Sequence, residues 1–139
     1  MTVHTGLLRL ETEGEASVVD LTEGVVAVVR QSGVSSGVVS VFVTGSTAAV
    51  TTMEYEPGGV ADLRALVERL VPREGTYQHN VLNGDDNAHA HLRASVIGPS
   101  ETVPLVAGRL VLGTWQQIVL LECDTRPRDR TVVVTVLGE

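Results

Sequence analysis

Lysine is absent from this chain of 139 residues, and aromatic residues make up only 3% of it. Arginine therefore supplies every positive side chain, and acidic residues outnumber the ten basic ones to give a formal net charge of −7. An acidic chain without a basic run lacks the electrostatic footprint that nucleic-acid binding requires, so we expect no nucleic-acid partner. Any phosphate contact must come from arginine, from backbone amides or from a metal ion.

Paired cysteines and long apolar runs are also missing. Cys123 is the only cysteine, so no internal disulfide can form. Its position in an apolar run favours a small core residue over a reactive thiol. No apolar segment approaches the roughly 20 residues needed to span a bilayer, and the N-terminus lacks the charged-then-apolar pattern of a signal peptide. We therefore expect a cytoplasmic protein with no membrane partner.

Valine dominates what is present. With 43% apolar residues and so few rings, the core must consist of Val, Leu, Ile and Ala, and β-branched side chains favour strands. The length fits one domain and no linker interrupts it, so we assign 1–139 to a single domain. Strands are predicted at 3–10, 37–44, 47–53, 101–105, 108–112, 117–123 and 131–137.

Helices are fewer than strands in the pattern. The spacing of apolar residues predicts a helix over 60–70 that Pro72 ends. A second helix is predicted through the valines at 25–29, with Asp20 or Thr22 as its cap and Gly33 as its end. Pro57-Gly58-Gly59 indicates a turn. The order of elements predicts an α+β fold rather than alternating βαβ units.

The segment from 76 to 94 holds three of the four histidines. We predict a long loop over 76–86 and then a short helix over 87–94 that Asp85 or Asp86 caps. Because loops on a scaffold often carry function, and because histidine binds metals and transfers protons, this segment is the first candidate for a site.

Helix geometry distinguishes the two histidines at its end. If 87–93 is helical, Asn87 and His91 share one face and His89 points elsewhere; if it is extended, His89 and His91 share a face. We favour the helix and therefore select Asn87 and His91 as candidate catalytic residues, with His79 as a third candidate that only the folding of the long loop could bring to them. The alternative is that His91 is a hydrogen-bonded core residue and His79 an ordinary surface residue.

Two further segments are candidates for substrate binding. Gly113 precedes Thr114, the only tryptophan Trp115, and Gln116; the indole can stack on a flat ring, or it can simply fill the core. Arg109 is either a phosphate ligand or an ordinary surface charge. The turn from Thr44 to Thr47 offers hydroxyls and amides to an anion, although a plain hairpin turn explains the same pattern. The run from Arg126 to Arg130 is typical of a solvated turn, although it could instead line a subunit contact or attract an anionic substrate.

These motifs, in this order, resemble the YjbQ-like family, the so-called secondary thiamine-phosphate synthases. The resemblance covers nearly the whole chain, and the stretch Gly113-Thr114-Trp115-Gln116 is its most distinctive part. The other matching segments are Tyr77-Gln78-His79, Asn87, Ala90 to Ser95, Gly108 to Leu112, and Arg128-Asp129-Arg130.

The resemblance implies a compact α+β fold of packed antiparallel strands, assembled as a homotrimer. It also implies a pocket near subunit boundaries that gathers histidines and holds a divalent metal, zinc or magnesium, or an oxyanion. The implied reaction joins hydroxymethylpyrimidine diphosphate to thiazole phosphate and releases diphosphate. The residues carried over for substrate binding are Ser46, Thr47, Arg109, Thr114, Trp115 and Gln116.

One position departs from the family pattern. Gly45 stands where the family has a histidine, so a metal site built on His79 and His91 lacks one ligand, for which His89 is the candidate substitute. Zinc normally takes three or four protein ligands, whereas magnesium accepts fewer and keeps more water. The second hypothesis is therefore a trimeric, non-catalytic binding or regulatory protein for a small phosphorylated ligand or a metal.

Overall fold

Two antiparallel sheets and four helices make up the structure, a computed structural model that describes residues 1–139. The strands are β1 Thr2–Glu11, β2 Val18–Asp20, β3 Gly37–Val43, β4 Ala48–Met53, β5 Ser100–Val106, β6 Arg109–Leu110, β7 Gln117–Glu122 and β8 Asp129–Gly138. The helices are α1 Thr22–Ser32, α2 Pro57–Leu70, α3 Gln78–Asn83 and α4 Ala88–Ile97. Five strands form one sheet in the order β1-β8-β3-β5-β6, and three form the other in the order β2-β7-β4.

The larger sheet buries one face and leaves the other open. Every second residue of its central strands points inward, which is the strand period of two. The inward valines, together with α1 and one face of the smaller sheet, form the main core of the protein. Gly6 lets α1 lie close to β1, because a Cβ at this position would come within 2.8 Å of the Val28 side chain.

The smaller sheet is covered on both faces. Ile118 and Leu120 of β7 point toward the larger sheet, while Val119 and Leu121 point toward the helices. Ala90 and Ala94 lie where α4 crosses this second face, and Val67 brings α2 against it. Strands buried on both faces read as continuous apolar runs, which explains why β7 shows no alternation in the sequence.

The predicted α+β class and the packed antiparallel sheets are confirmed. Most predicted strands and the helix over 60–70 are found, with boundaries that differ by a few residues. The prediction of a turn at Pro57-Gly58-Gly59 is wrong, because these residues form the first turn of α2. The carboxylate of Glu56 accepts hydrogen bonds from the amides of Gly58, at 2.8 Å, and Gly59, and proline is well suited to the first helical position.

The predicted loop over 76–86 is also partly wrong, because it contains α3, and β2 was not predicted. Neither Asp20 nor Thr22 is the N-cap of α1, which is Leu21; the Asp20 carboxylate nevertheless accepts a bond from the Thr22 amide at 2.9 Å. Gly33 ends the helix in the left-handed conformation, as predicted. None of the helices has the length and apolar character needed to cross a membrane.

Candidate functional site

A tight corner between α3 and α4 forms the candidate site. Gly84 ends α3 in the left-handed conformation, so the chain reverses and α4 begins only four residues later. Asn80 holds the corner, because its side-chain oxygen accepts a hydrogen bond from the Ala88 amide at 3.0 Å. Asn80 thus satisfies a free amide at the start of α4, a role that we had predicted for Asp85 or Asp86.

The corner brings His79 and His91 together. Their ring centroids lie 4.7 Å apart with the planes tilted by 51°. His79 Nε2 lies 3.0 Å from the side-chain oxygen of Asn87 and 3.8 Å from a carboxylate oxygen of Asp85. Because an amide oxygen only accepts, His79 donates through Nε2 in this arrangement, and its Nδ1 is the nitrogen available for another partner.

The histidine pair is open to a ligand from outside. The His79 side chain is 37% exposed, and Asn87 and His91 are partly buried. The imidazole of His91 makes no hydrogen bond within the chain. Only the backbone carbonyl of His91 is engaged by a side chain, since it accepts from the Ser95 hydroxyl at 2.8 Å. The predicted convergence of His79, Asn87 and His91 is therefore present, and the arrangement can supply two proton-carrying nitrogens to one bound group.

His89 does not join this pair. Its ring is fully buried on another face of α4, and its Nε2 lies 2.9 Å from the Glu15 carboxylate. The same carboxylate oxygen accepts from the Arg93 guanidinium at 3.2 Å. The structure thus places His89, the candidate substitute ligand, away from the pair, and its other ring nitrogen, Nδ1, is buried without a hydrogen-bond partner. No group of three or more His, Cys, Asp or Glu side chains is arranged to hold a metal ion.

Other predicted binding residues lie in separate places. Thr47 is buried, and its hydroxyl accepts a hydrogen bond from Arg130 at 2.8 Å and donates one to Asp124 at 3.2 Å. Ser46 is exposed beside it. Arg109 is exposed and lines a cavity of about 290 Å³ with Thr22 and Gly108. The turn from Thr44 to Thr47 joins strands of different sheets, which excludes the hairpin.

Trp115 is a surface residue. It is 73% exposed, which rules out the core-filling alternative, and the only aromatic pair in the chain is His79 with His91. The Gln116 side chain accepts from the Gly113 amide at 3.0 Å and donates to the Thr52 hydroxyl at 3.2 Å. Thr114 is exposed in the same turn. None of these contacts within one chain connects the Trp115 turn to the histidine pair.

A buried charge cluster at the ends of β7 and β8 was missed by sequence reasoning. Arg130 binds Glu122 through Nε at 2.8 Å and Nη2 at 2.5 Å. The Thr12 hydroxyl donates to Glu122 at 2.7 Å, and Arg128 contacts Asp124 at 2.7 Å. The solvated turn that we predicted over 126–130 thus ends in a buried guanidinium. The alternation of β8 was the available signal, because position 130 has the same parity as the inward valines 132, 134 and 136.

The pKa values of two neighbouring residues, Asp124 and Cys123, are shifted in opposite directions. Burial opposes ionisation of Asp124, but hydrogen bonds from Thr125 and Thr47 and the charges of Arg128 and Arg130 lower its pKa overall. Burial raises the pKa of the Cys123 thiol to about 12. The prediction that Cys123 is a small core residue is confirmed by its burial, and a thiol of this kind is inert.

The fold and the site together define a class. This is an α+β protein with two stacked antiparallel sheets, in which a helical corner presents paired histidines on the side of the smaller sheet. The chain belongs to the YjbQ family, described as UPF0047 protein YjbQ-like, whose pattern matches residues 7–139.

Individual relatives agree with this assignment. A UPF0047 protein of Methanothermobacter thermautotrophicus is 39% identical over 139 residues, covering all of this chain and 95% of the relative. A YbjQ-like protein of unknown function from Sulfolobus solfataricus has a TM-score of 0.89 at 34% identity, covering 99% of this chain and 100% of that chain. A hypothetical protein from Aeropyrum pernix has the same TM-score at 40% identity, covering 97% and 98%.

Proposed function

We propose that this protein is a secondary thiamine-phosphate synthase of low turnover, with His79 and His91 at its reactive centre. The observation that carries the proposal is the 4.7 Å approach of the two imidazoles beside Asn87. The residues come from two helices, and the tight α3–α4 corner holds them in one geometry. Such preorganised donors are what a reaction that releases a charged leaving group requires.

The reaction can be written for this site without a redox step. The carbon–oxygen bond between the pyrimidine methylene and the diphosphate breaks, and the thiazole nitrogen forms a new bond to that carbon. The oxygen of the departing diphosphate gains negative charge, which a protonated His79 or His91 stabilises by donating a hydrogen bond. Asn87 fixes the orientation of His79 through the bond to Nε2.

The metal that the family resemblance implies does not fit the donors of a single chain. Two imidazoles are brought together, and the Nε2 atom of one of them is already engaged by Asn87. Zinc requires at least one more protein ligand, and Gly45 and His89 supply none at this corner. The donors of a single chain therefore do not make a zinc site, and the proposed chemistry relies on hydrogen bonds from His79 and His91.

We further propose that three copies assemble into the functional unit. The histidine corner, the Trp115 turn and Arg109 lie apart on a single chain. The open face of the larger sheet supports this idea, because twelve successive outward positions on four strands carry no charge, and exposed faces of this kind mark interfaces. These positions are Val3, Thr5, Leu7, Val133, Thr135, Leu137, Val38, Ser40, Phe42, Ser100, Thr102 and Pro104.

One observation favours the second candidate function, a binding protein that performs no efficient chemistry. At Gly45, where the family has a histidine, a Cβ would meet the Arg130 Nη1 atom at 2.8 Å. Arg130 thus points at the position from which the histidine side chain would start. Loss of that imidazole leaves an anion-friendly turn in place of a reactive group.

The proposal is tested by assaying thiamine phosphate formation from the two phosphorylated precursors. We expect His79→Ala and His91→Ala each to lower kcat/KM at least tenfold, since general acid–base groups typically contribute 10²–10⁴-fold. His89→Gln is the matched control, because it removes an imidazole from the same helix but outside the pair. It should retain activity in the folded protein.

Three outcomes separate the candidates. Turnover that survives both substitutions at the pair contradicts the assignment of the site. No turnover by the unsubstituted protein, combined with saturable binding of a phosphorylated precursor, favours the binding protein. Added Mg²⁺ or Zn²⁺ that raises kcat/KM in proportion to site occupancy contradicts the metal-free scheme.

A further inference from the structure

A small notch in the protein surface lies at Gly45, in the turn that connects β3 to β4. Gly45 has φ +120°, in the region that favours glycine, and it is exposed. Apart from Gly45 and its chain neighbours Thr44 and Ser46, the only atom within 4 Å of the position of an added Cβ is Arg130 Nη1, at 2.8 Å. The glycine therefore leaves a small space that one buried guanidinium faces.

Arg130 is buried and fixed, but one of its nitrogens is unpartnered. Only 3% of its side chain is exposed. Nε and Nη2 bind Glu122, and Nη2 also donates to the carbonyl of Thr47 at 3.1 Å and its hydroxyl at 2.8 Å. Nη1 donates no hydrogen bond within the chain. It is also not among the side-chain atoms that are both buried and without a partner, so it remains in contact with solvent. Two N–H groups of a permanently charged side chain are thus aimed into the notch.

The backbone of the same turn has free donors as well. The amides of Gly45, Ser46 and Thr47 donate no hydrogen bond to any backbone or side-chain acceptor in the chain. Successive unpaired amides in a turn form concavities that bind anions. The Ser46 side chain is exposed and makes no hydrogen bond within the chain, so its hydroxyl is a further donor at this place.

We propose that the notch formed by Gly45, Ser46, Thr47 and Arg130 is a binding site for a phosphate group. The ligand class is inorganic phosphate, diphosphate or a phosphate monoester, since tetrahedral oxyanions accept several donors at once and arginine is suited to phosphate recognition. Nη1 binds one oxygen, and the amides of the turn bind others.

The two carboxylates of the Arg130 cluster, Glu122 and Asp124, do not oppose an anion strongly, because each is already compensated. Glu122 is paired with Arg130 through two hydrogen bonds and accepts from Thr12 and from the Asp124 amide at 3.0 Å. Asp124 is paired with Arg128 and bonded by Thr47. The cluster contains two carboxylates and two arginines, so its formal charge is zero. Of its charged groups, only the Arg130 guanidinium faces the notch, through Nη1.

The inference goes beyond the proposed function. The sequence predicted Ser46 and Thr47 as substrate-binding residues and left open that the 126–130 run attracts an anion; the structure adds that the buried Arg130 Nη1 faces the space left by Gly45. The site requires no turnover and no histidine. It would exist equally in a synthase, where it would hold one phosphorylated precursor, and in a binding protein.

The test is an NMR titration of ¹⁵N-labelled protein with inorganic phosphate and, separately, with diphosphate, at constant ionic strength. We expect saturable shifts of the Gly45, Ser46 and Thr47 amide signals. Gly45→Ala should weaken binding at least tenfold, because the new methyl group fills the notch and Arg130 is held too firmly to move aside. Gly33→Ala is the matched control, since this glycine also has a positive φ, +70°, but nothing lies within 4 Å of its Cβ position; affinity should not change.

Each alternative result overturns the inference. The first is the absence of saturable shifts in the unsubstituted protein, and the second is saturable shifts that are confined to other parts of the chain. The third is equal affinity in Gly45→Ala, which would show that the notch takes no part; circular dichroism of the variant verifies that it is folded. Because the readout is binding, a failure of thiamine phosphate synthesis leaves this result unaffected, and synthesis without phosphate binding at the notch refutes the notch alone.

Discussion

At the level of single residues, the charged side chains of the Arg130 cluster lie in pairs of opposite charge. Glu122 and Arg130 are both nearly inaccessible, and Asp124 and Arg128 form the adjoining pair. Such pairs add little net stability compared with apolar residues, but removal of one partner leaves an uncompensated charge, which costs about 3–5 kcal/mol. Their more specific consequence is geometric, because the bonds to Glu122 and Thr47 fix the direction of the Arg130 Nη1 atom.

Asp124 gives this cluster a pH dependence. Its pKa is lower in the folded chain than the ordinary value near 4, so its ionised form stabilises the fold at pH above that value. The contribution disappears as the pH falls through the lowered pKa. We expect Asp124→Asn to reduce the free energy of unfolding by about 1–3 kcal/mol at neutral pH. Urea unfolding at a series of pH values should show this deficit shrinking below pH ~4, and a deficit independent of pH would contradict the sign.

At the level of elements, α4 separates two roles along one helix. His91 lies on the face that meets α3, and His89 lies on the buried face with Arg93. Positions two apart on a helix point in nearly opposite directions, since each residue turns the helix by about 100°. The helix thus presents one imidazole to ligands and uses the other to connect the β1–β2 loop through Glu15.

Substitutions at the two histidines should therefore separate stability from activity. We expect His89→Ala to lower the free energy of unfolding by about 2–4 kcal/mol, because it leaves a cavity in the interior and removes one of the hydrogen bonds to the Glu15 carboxylate. His91→Ala should cost less than about 1 kcal/mol, as is usual for partly exposed sites, while it lowers kcat/KM. Chemical unfolding and the synthase assay measure the two effects. Equal loss of stability in both variants would contradict this division of the helix.

The same elements indicate how far sequence alone reaches. Apolar spacing was sufficient for α1, the body of α2 and the long strands, because each signal is local. It failed for α3, which has no buried residue and hence no apolar stripe, and for Pro57-Gly58-Gly59, where the cap on Glu56 decides the conformation. The helix spacing of 87–91 related Asn87 to His91, but the approach of His79 depends on α3 and the corner after it, for which no local signal exists. The Arg130 cluster and the Glu15–His89 bond were not predicted, because their partners are far apart in the chain and depend on which strands pair.

At the level of the whole molecule, one layer is left uncovered. The helices α2 and α4 cover the outer face of the smaller sheet, and the larger sheet has no layer on its outer face. Three rows across β1, β8, β3 and β5 of this face carry Val, Leu, Phe, Pro, Thr and Ser without a charge, whereas Arg9, Glu11 and Asp129 lie on the same face at one end of β1 and β8. Charged residues make up 19% of the chain, so their absence from twelve adjacent positions supports a contact surface between copies.

The proposed trimer can be tested at this face. Light scattering should give three times the chain mass of 14.7 kDa at micromolar concentration. Phe42 is 42% exposed in the middle strand of the open face, and we expect Phe42→Glu to shift the protein toward the monomer, because a buried unpaired charge costs several kcal/mol in each contact. Leu70→Glu is the matched control, since Leu70 is an exposed aliphatic residue of α2 on the helical side, and it should leave the mass unchanged. A monomer in the unsubstituted protein contradicts the trimer, whereas dissociation by Leu70→Glu alone places the interface on the helices.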